Sequence, residues 1–143
     1  MKRLVLAVLV IFASACAASQ PTKIEKNQAE FYFNQGVAWN EKGDYDKAIS
    51  EYTKAIEINP SLAEAYNNRG LAYAQGKGQY DKAISDCTKA IEINPSLEEA
   101  YSNRGLAYLL LGQSQPGCHD LQKACELGSC IGLTWAKERG HCR

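Results

Sequence analysis

The sequence predicts an all-helical solenoid of three helix hairpins followed by one C-terminal capping helix. The segment YDKAISEYTKAIEINPSL at 45–62 returns as YDKAISDCTKAIEINPSL at 80–97, with 16 of 18 residues identical. AEAYNNRGLAY at 63–73 returns in the same way as EEAYSNRGLAY at 98–108. Within each unit the apolar and small residues recur at helical spacing, as at Ala48, Tyr52 and Ala55. Repeated units of two helices are typical of solenoids, because each unit buries its apolar face against the next one.

We expect seven helices between Gln28 and Gly140. Pro60 and Pro95 end the second helix of the first two units, since proline lacks the N–H donor and clashes with the preceding turn. The predicted units are 29–62, 63–97 and 98–128, followed by the capping helix and tail at 129–143.

Glycines and one serine are expected to set the turns. Gly43, and Gly76 together with Gly78, interrupt the apolar pattern between the two helices of a unit. For the capping helix, Ser129 is expected to cap the start and Gly140 to close the end.

The recurring residues resemble the signature of the tetratricopeptide repeat, although the period here is 35 residues, one above the usual 34. The resemblance implies a right-handed superhelix in which the first helices line a concave peptide-binding groove. In the third unit Gly117 replaces the small alanine and Gly128 stands where proline usually comes, so its second helix is divergent. The signature residues are Tyr32, Gly36, Trp39, Ala48, Tyr52, Ala55 and Pro60, then Tyr66, Gly70, Tyr73, Ala83, Cys87, Ala90 and Pro95, then Tyr101, Gly105, Tyr108, Leu121 and Ala124.

Residues 1–15 have the pattern of a bacterial secretory signal peptide. Lys2 and Arg3 precede an unbroken apolar run at 4–12, and small residues follow before Cys16. The run is about half of the ~20 residues that a membrane-spanning helix needs. We therefore expect export and removal of this segment.

The letters ASAC resemble the lipobox of bacterial lipoproteins, which implies that Cys16 carries a diacylglycerol and becomes the first residue. Ala13 departs from the usual leucine, and the alternative is ordinary cleavage that removes Cys16 or leaves it as a thiol. Ala17 stands where an aspartate retains some lipoproteins in the inner membrane, so an outer-membrane anchor facing the periplasm is expected. Residues 16–28 are polar and are predicted to form a tether.

Charge and composition disfavour several classes of function. Removing residues 1–15 takes two of the 16 basic residues, which leaves 14 against 16 acidic residues and a net charge near −2. A slightly acidic chain argues against nucleic acid as a partner. Both histidines, His119 and His141, lie in the C-terminal segment, and no serine or cysteine has a base at a recognisable spacing. We expect no enzymatic activity and no cofactor.

The C-terminal cysteines are predicted to form two disulfides, because export places thiols where disulfides persist. Cys118 and Cys125 lie seven residues apart on one helix, about 10.5 Å, which is too far for a bond. Across the following turn Cys130 is the nearer partner of Cys125, which leaves Cys118 to Cys142. Cys87 occupies a large-apolar position and is predicted to be a buried free thiol.

The alternative for these cysteines is a zinc site that includes His119 or His141. The spacing Cys-x6-Cys-x4-Cys-x11-Cys contains none of the short chelating pairs of structural zinc sites. The spacing therefore favours disulfides and predicts a surface position for His119.

The first helices are predicted to form a peptide-binding groove lined by one asparagine from each unit. These are Asn34, Asn68 and Asn103, which lie two positions after the core-facing tyrosine of each first helix. A side-chain amide both donates and accepts, so it can pair with any peptide backbone. The arrangement resembles the asparagine ladder of the tetratricopeptide groove in O-linked N-acetylglucosamine transferase. The alternative is that these are ordinary solvated positions. The predicted groove adds Val37, Leu71 and Leu106 as apolar contacts and Glu30, Glu64 and Glu99 as an acidic rim.

These observations predict an envelope-anchored adaptor or assembly factor that binds an extended, neutral or basic segment of an unidentified protein. The basic clamp of chaperone-binding family members is missing from the matching positions, and Arg69 and Arg104 follow the asparagines by one position. A partner that ends in acidic residues is therefore disfavoured. Two alternatives remain: a structural lipoprotein that stacks on an envelope assembly, and a metal or thiol-redox protein that uses the C-terminal cysteines.

Overall fold

The computed structural model describes residues 20–143, and within them it contains seven α-helices and no strand. The predicted all-helical hairpin fold is therefore confirmed. The signal peptide at 1–15 and Cys16 lie outside the described residues. The helices are α1 (Lys23–Glu41), α2 (Tyr45–Ile58), α3 (Ala63–Lys77), α4 (Tyr80–Ile93), α5 (Glu98–Leu110), α6 (Ser114–Glu126) and α7 (Ile131–Glu138).

Each hairpin packs on the next in chain order. The helices α1 and α2, α3 and α4, and α5 and α6 form the three hairpins, while α2 packs on α3, α4 on α5, and α6 on α7. The first helices also meet one another, since α3 contacts both α1 and α5. Every hairpin thus buries its apolar face against its neighbour, as a solenoid requires.

Glycines allow the two helices of a hairpin to cross closely. A β-carbon on Gly36 would lie 2.6 Å from the ring of Tyr52. In the third hairpin, a β-carbon on Gly105 would lie 2.9 Å from the Gly117 carbonyl oxygen, and one on Gly117 would lie 2.9 Å from the Gly105 carbonyl oxygen. The divergent Gly117 is thus explained, because α5 and α6 touch backbone to backbone at this point.

The first helix begins earlier than the sequence predicts. It starts at Lys23 rather than Gln28, so residues 23–28 of the predicted tether belong to the helix. Thr22 and Glu25 form a capping box: the Thr22 hydroxyl oxygen accepts from the Glu25 N–H at 3.3 Å, and the Glu25 carboxylate accepts from the Thr22 N–H at 2.7 Å. Two backbone donors that open the helix are satisfied in this way.

Two of the predicted turn and cap residues are wrong. Gly76 lies inside α3, and Gly78, with φ of 60°, ends that helix instead. The residue before α7 is Cys130, and the side chain of Ser129 makes no capping bond there. The prediction for Gly140 is confirmed, because it follows the C-cap residue Arg139 of α7 and has φ of 75°.

The residue by which the 35-residue period exceeds the usual 34 lengthens helix α3 and not the turn after it. Helix α3 has 15 residues and its counterpart α5 has 13. Among residues 20–143, no helix is long and apolar enough to cross a membrane.

Candidate peptide-binding groove

Three cavities lie along the first helices of the hairpins. The N-terminal cavity, of about 360 Å³, is lined by α1 and the start of α3. The central cavity, of about 370 Å³, lies between α3, α4 and α5. The C-terminal cavity, of about 540 Å³, lies between α5 and α7. Leu106 and Leu110 line both the central and the C-terminal cavity, so these two form one continuous surface.

Four of the six predicted groove residues line these cavities. Asn34 lines the N-terminal cavity, while Leu71, Asn103 and Leu106 line the central one. Val37 instead packs against the core cluster of the first hairpin.

Asn68 and Asn103 belong to a hydrogen-bonded chain of amides centred on the buried Asn67. The Asn103 side chain donates to the Asn67 side-chain oxygen at 2.9 Å, and the Asn67 side chain donates to the Asn68 oxygen at 3.2 Å. Asn67 is only 6% exposed, and Asn68 and Asn103 are half-buried. Two of the three predicted groove asparagines are therefore only partly exposed and are hydrogen-bonded to Asn67.

Part of the predicted amide ladder remains available to a ligand. Asn34 is exposed, and its side chain makes no hydrogen bond within residues 20–143. Asn103 donates one N–H to Asn67. Asn103 lines the central cavity, and its side-chain oxygen, which accepts no hydrogen bond within residues 20–143, can accept from a peptide N–H.

Two of the three predicted rim acids lie along the same surface. Glu30 and Glu64 line the N-terminal cavity together with Lys26. Glu99 is exposed in the first turn of α5. The residues that line the three cavities therefore include two acids and one base, so the groove is weakly negative.

Arg69 and Arg104 point away from the groove and join the helices. Two nitrogens of Arg69 donate to the Asp86 carboxylate on α4, each at 2.8 Å. The pairing raises the pKa of Arg69. A third nitrogen donates to the Thr53 hydroxyl on α2 at 3.1 Å, so Arg69 connects its own hairpin to the preceding one.

The same arrangement recurs one hairpin later. Arg104 donates twice to Asp120, at 2.7 and 2.9 Å, and once to Thr88 at 3.1 Å. Neither arginine–aspartate pair was predicted from the sequence, although the sequence carries a signal for them. The first hairpin has Gln35 in the place of the arginine and Glu51 in the place of the aspartate, so both partners change together.

The structure joins Cys118 to Cys142 and Cys125 to Cys130, with Cα atoms 5.6 and 4.0 Å apart. Cys142 is buried in the cluster that contains Leu121 of α6 and Leu133 of α7, so the pairing fastens α7 to the solenoid. These are the pairs that the sequence predicts, and their formation in the cell stays a prediction.

Neither histidine belongs to a cluster of potential metal ligands in the described part of the chain. Within residues 20–143, no group of three or more histidine, cysteine or acidic side chains is placed to hold a metal ion. The side chain of His119 is 82% exposed. His141 stacks on the ring of Trp135, with the ring centroids 5.8 Å apart.

Cys87 is a free thiol and is fully buried in the second hairpin. Burial is the main cause that raises the pKa of Cys87 from its usual 9.0 to about 12. The neutral thiol is favoured in the folded state. The stability that comes from keeping this thiol neutral is fully present below pH 9.0, its usual pKa, and is lost as the pH rises through about 12, its pKa in the folded protein.

We expect Cys87 to resist alkylation until the protein unfolds. At pH 8 without reductant, iodoacetamide should modify no cysteine of the described residues in the native protein, because burial suppresses the reactive thiolate of Cys87. After addition of guanidinium chloride it should modify one. Mass spectrometry of the two samples measures this directly. Rapid modification of Cys87 in the native state would contradict the buried position.

Stacked helix hairpins with cavities along their first helices define the chain as a helical-repeat solenoid with a groove. Three family models match it: "TPR repeat" at residues 38–76, and "Tetratricopeptide repeat" at residues 63–97 and again at 87–115. The chain belongs to the tetratricopeptide repeat family.

Solved structures and a curated relative agree with this assignment. The first TPR of Spaghetti (RPAP3) bound to the HSP90 peptide SRMEEVD is 29% identical, with a TM-score of 0.76 over 80% of this chain and 90% of that one. The second TPR of the same protein, bound to the same peptide, is 31% identical, with a TM-score of 0.70 over 73% and 95%. An uncharacterized protein of Methanocaldococcus jannaschii is 44% identical over 45 residues, which are 32% of this chain and 52% of the relative. The match thus spans about half of that relative.

Proposed function

We propose that the protein is a non-enzymatic adaptor or assembly factor that binds an extended segment of a partner protein along the three cavities. The observation that carries this proposal is the apolar surface of the central cavity, which Leu71, Leu106 and Asn103 line, with the exposed Asn34 in the N-terminal cavity. The apolar surface supplies affinity, and amides can pair with a backbone of any sequence.

The segment is proposed to be neutral or basic. The similar solved structures hold a peptide that ends in two glutamates, a valine and an aspartate. In this chain Arg69 and Arg104 are engaged by aspartates, and Lys26 is the one base among the residues that line the three cavities. Glu30 and Glu64 favour a positive charge near the N-terminal cavity.

The test is selection of binders from a random-peptide display library, followed by affinity measurements on variants. We expect the combined change Asn34→Ala and Leu71→Ala to weaken binding of the selected peptides about thirtyfold, since it removes one hydrogen bond and one apolar contact, together about 2 kcal/mol. Asn68 and Asn103 are spared because their amides support Asn67.

The matched control combines Gln35→Ala and Leu111→Ala. Both residues are exposed, and neither is among the residues that line the three cavities. Circular-dichroism melts report whether each variant is folded. If the folded variant with Asn34→Ala and Leu71→Ala binds with unchanged affinity, the groove is not the binding site. The structural-lipoprotein alternative, with contacts on another face, would then be preferred.

We further propose that the protein is exported and anchored through lipid on Cys16 in the outer membrane, facing the periplasm. The support is the sequence pattern at 1–16. Labelled palmitate fed to cells should enter the protein and be absent from the Cys16→Ser variant. A soluble and unlabelled product of the unmutated gene would be evidence against the anchor.

A further inference from the structure

We infer that the C-terminal cavity is a subsite for a bulky apolar side chain of the bound segment, and that its outer wall is a helix held in place by the two disulfides. This inference rests on the proposed function, and it adds the identity of one ligand residue. A leucine, isoleucine, methionine or phenylalanine side chain fits the chemistry of the lining.

The walls of the cavity come from two helices that are distant in sequence. Leu106 and Leu110 of α5 form one side, and Ile131 and Trp135 of α7 form the other. The residues that line the cavity carry no charge. Gly132 lets α7 approach both α6 and α5, because a β-carbon there would lie 2.8 Å from the Leu121 side chain of α6 and 3.1 Å from the Ser102 hydroxyl of α5.

Two large apolar side chains at this cavity are left in solvent. Ile131 is 84% exposed and Leu110 is 58% exposed. Trp135 is half-buried, with its ring stacked on His141 and the Arg139 guanidinium 4.9 Å from its centroid. An apolar ligand side chain placed between α5 and α7 would remove this surface from water, which is favourable in proportion to the area covered.

The position of the cavity connects it to the rest of the groove. Leu106 and Leu110 also line the central cavity together with Asn103, whose side-chain oxygen accepts no hydrogen bond within residues 20–143. A segment held at Asn103 therefore has a neighbouring side chain within reach of Ile131 and Trp135. The other end of the groove carries Glu30 and Glu64, so the bound segment would place basic residues toward α1 and its apolar residue toward α7.

Helix α7 depends on its bridges for this role. It has only eight residues, which is too short to be stable alone in water. One bridge begins at Cys130, directly before the helix, and the other ends at Cys142, shortly after it. Both ends of the wall are thus joined covalently to α6.

The probe for this subsite is the set of peptides selected from the random library. We expect the selected peptides to share one bulky apolar residue, and replacement of that residue by alanine to weaken binding about tenfold. Ile131→Ser should weaken binding to a similar extent. The two changes together should cost little more than either alone, because each removes the same contact.

The matched control is Ile24→Ser. Ile24 is 79% exposed on α1 and is not among the residues that line the three cavities, so this change alters an equally exposed isoleucine elsewhere. The double variant Cys118→Ser and Cys142→Ser tests the wall. Its binding should fall at least as far as that of Ile131→Ser, while circular dichroism still reports the helices of the three hairpins.

The outcomes separate this inference from the proposed function. Peptides that depend on Asn34 and Leu71 but bind equally well to Ile131→Ser would overturn the subsite and leave the groove intact. Equal binding by the cysteine double variant would overturn the role of the bridges in holding the wall. A library that yields no binder at all would count against the groove itself, and the subsite would fail with it.

Discussion

Replacing Asp120 by alanine is expected to lower the free energy of unfolding by about 3 kcal/mol. The Asp120 side chain is only 4% exposed, and it accepts two hydrogen bonds from Arg104. The substitution would leave the Arg104 guanidinium largely buried with one remaining partner, Thr88. Urea unfolding followed by circular dichroism at neutral pH measures the change.

The matched control for this prediction is Lys123→Ala on the same helix. Lys123 pairs with Glu126 at 3.3 Å, but both side chains are about half exposed, so this pair should contribute less than about 0.5 kcal/mol. A cost below about 1 kcal/mol for Asp120→Ala would contradict the view that buried arginine–aspartate pairs connect successive hairpins. Replacing Arg104 and Asp120 together by apolar residues should cost less than Asp120→Ala alone.

Loss of the bridge between Cys118 and Cys142 is expected to destabilise the protein by about 2–4 kcal/mol, because it closes a long loop. The two residues are 24 apart in sequence, whereas Cys125 and Cys130 are 5 apart. The effect should appear first at α7, since each element of a solenoid is held mainly by its neighbour. Hydrogen exchange of Cys118→Ser combined with Cys142→Ser should show faster exchange in 131–138 than in α1 to α4.

The matched comparison is the double change Cys125→Ser and Cys130→Ser, which opens the shorter loop and should cost less. The connectivity itself is tested by mass mapping of an unreduced digest. Alkylation of all four C-terminal cysteines without prior reduction, in protein from its native compartment, would show that the bridges are absent. Stoichiometric zinc would favour the metal alternative instead.

The hairpins were predictable because they depend on local sequence patterns that occur in two successive repeats. Helical spacing, the prolines after α2 and α4, and the nearly identical segments at 45–62 and 80–97 are all visible without a structure. The start of α1 was missed because Thr22 and Glu25 lie in a polar stretch where no apolar pattern accompanies the capping box.

The groove was less predictable because its details depend on contacts between hairpins. Asn67 organises Asn68 and Asn103, but the equivalent positions in the other hairpins are Phe33 and Ser102, so no repeat reveals the role of Asn67. The orientation of an arginine one position beyond an asparagine follows from its aspartate partner 16 or 17 residues later. The C-terminal cavity exists only once α7 is placed against α5, which is a tertiary feature.

The central claim is that a partner segment lies along α3 and α5, and site-specific photo-crosslinking in living cells tests it most directly. A photoreactive amino acid would be introduced at Gln75, which is exposed and lines the central cavity, and separately at Lys89, which is exposed on α4 and is not among the residues that line the three cavities. We predict a defined crosslinked partner from position 75 and none from position 89. A partner captured from position 89 and not from position 75 would contradict the account.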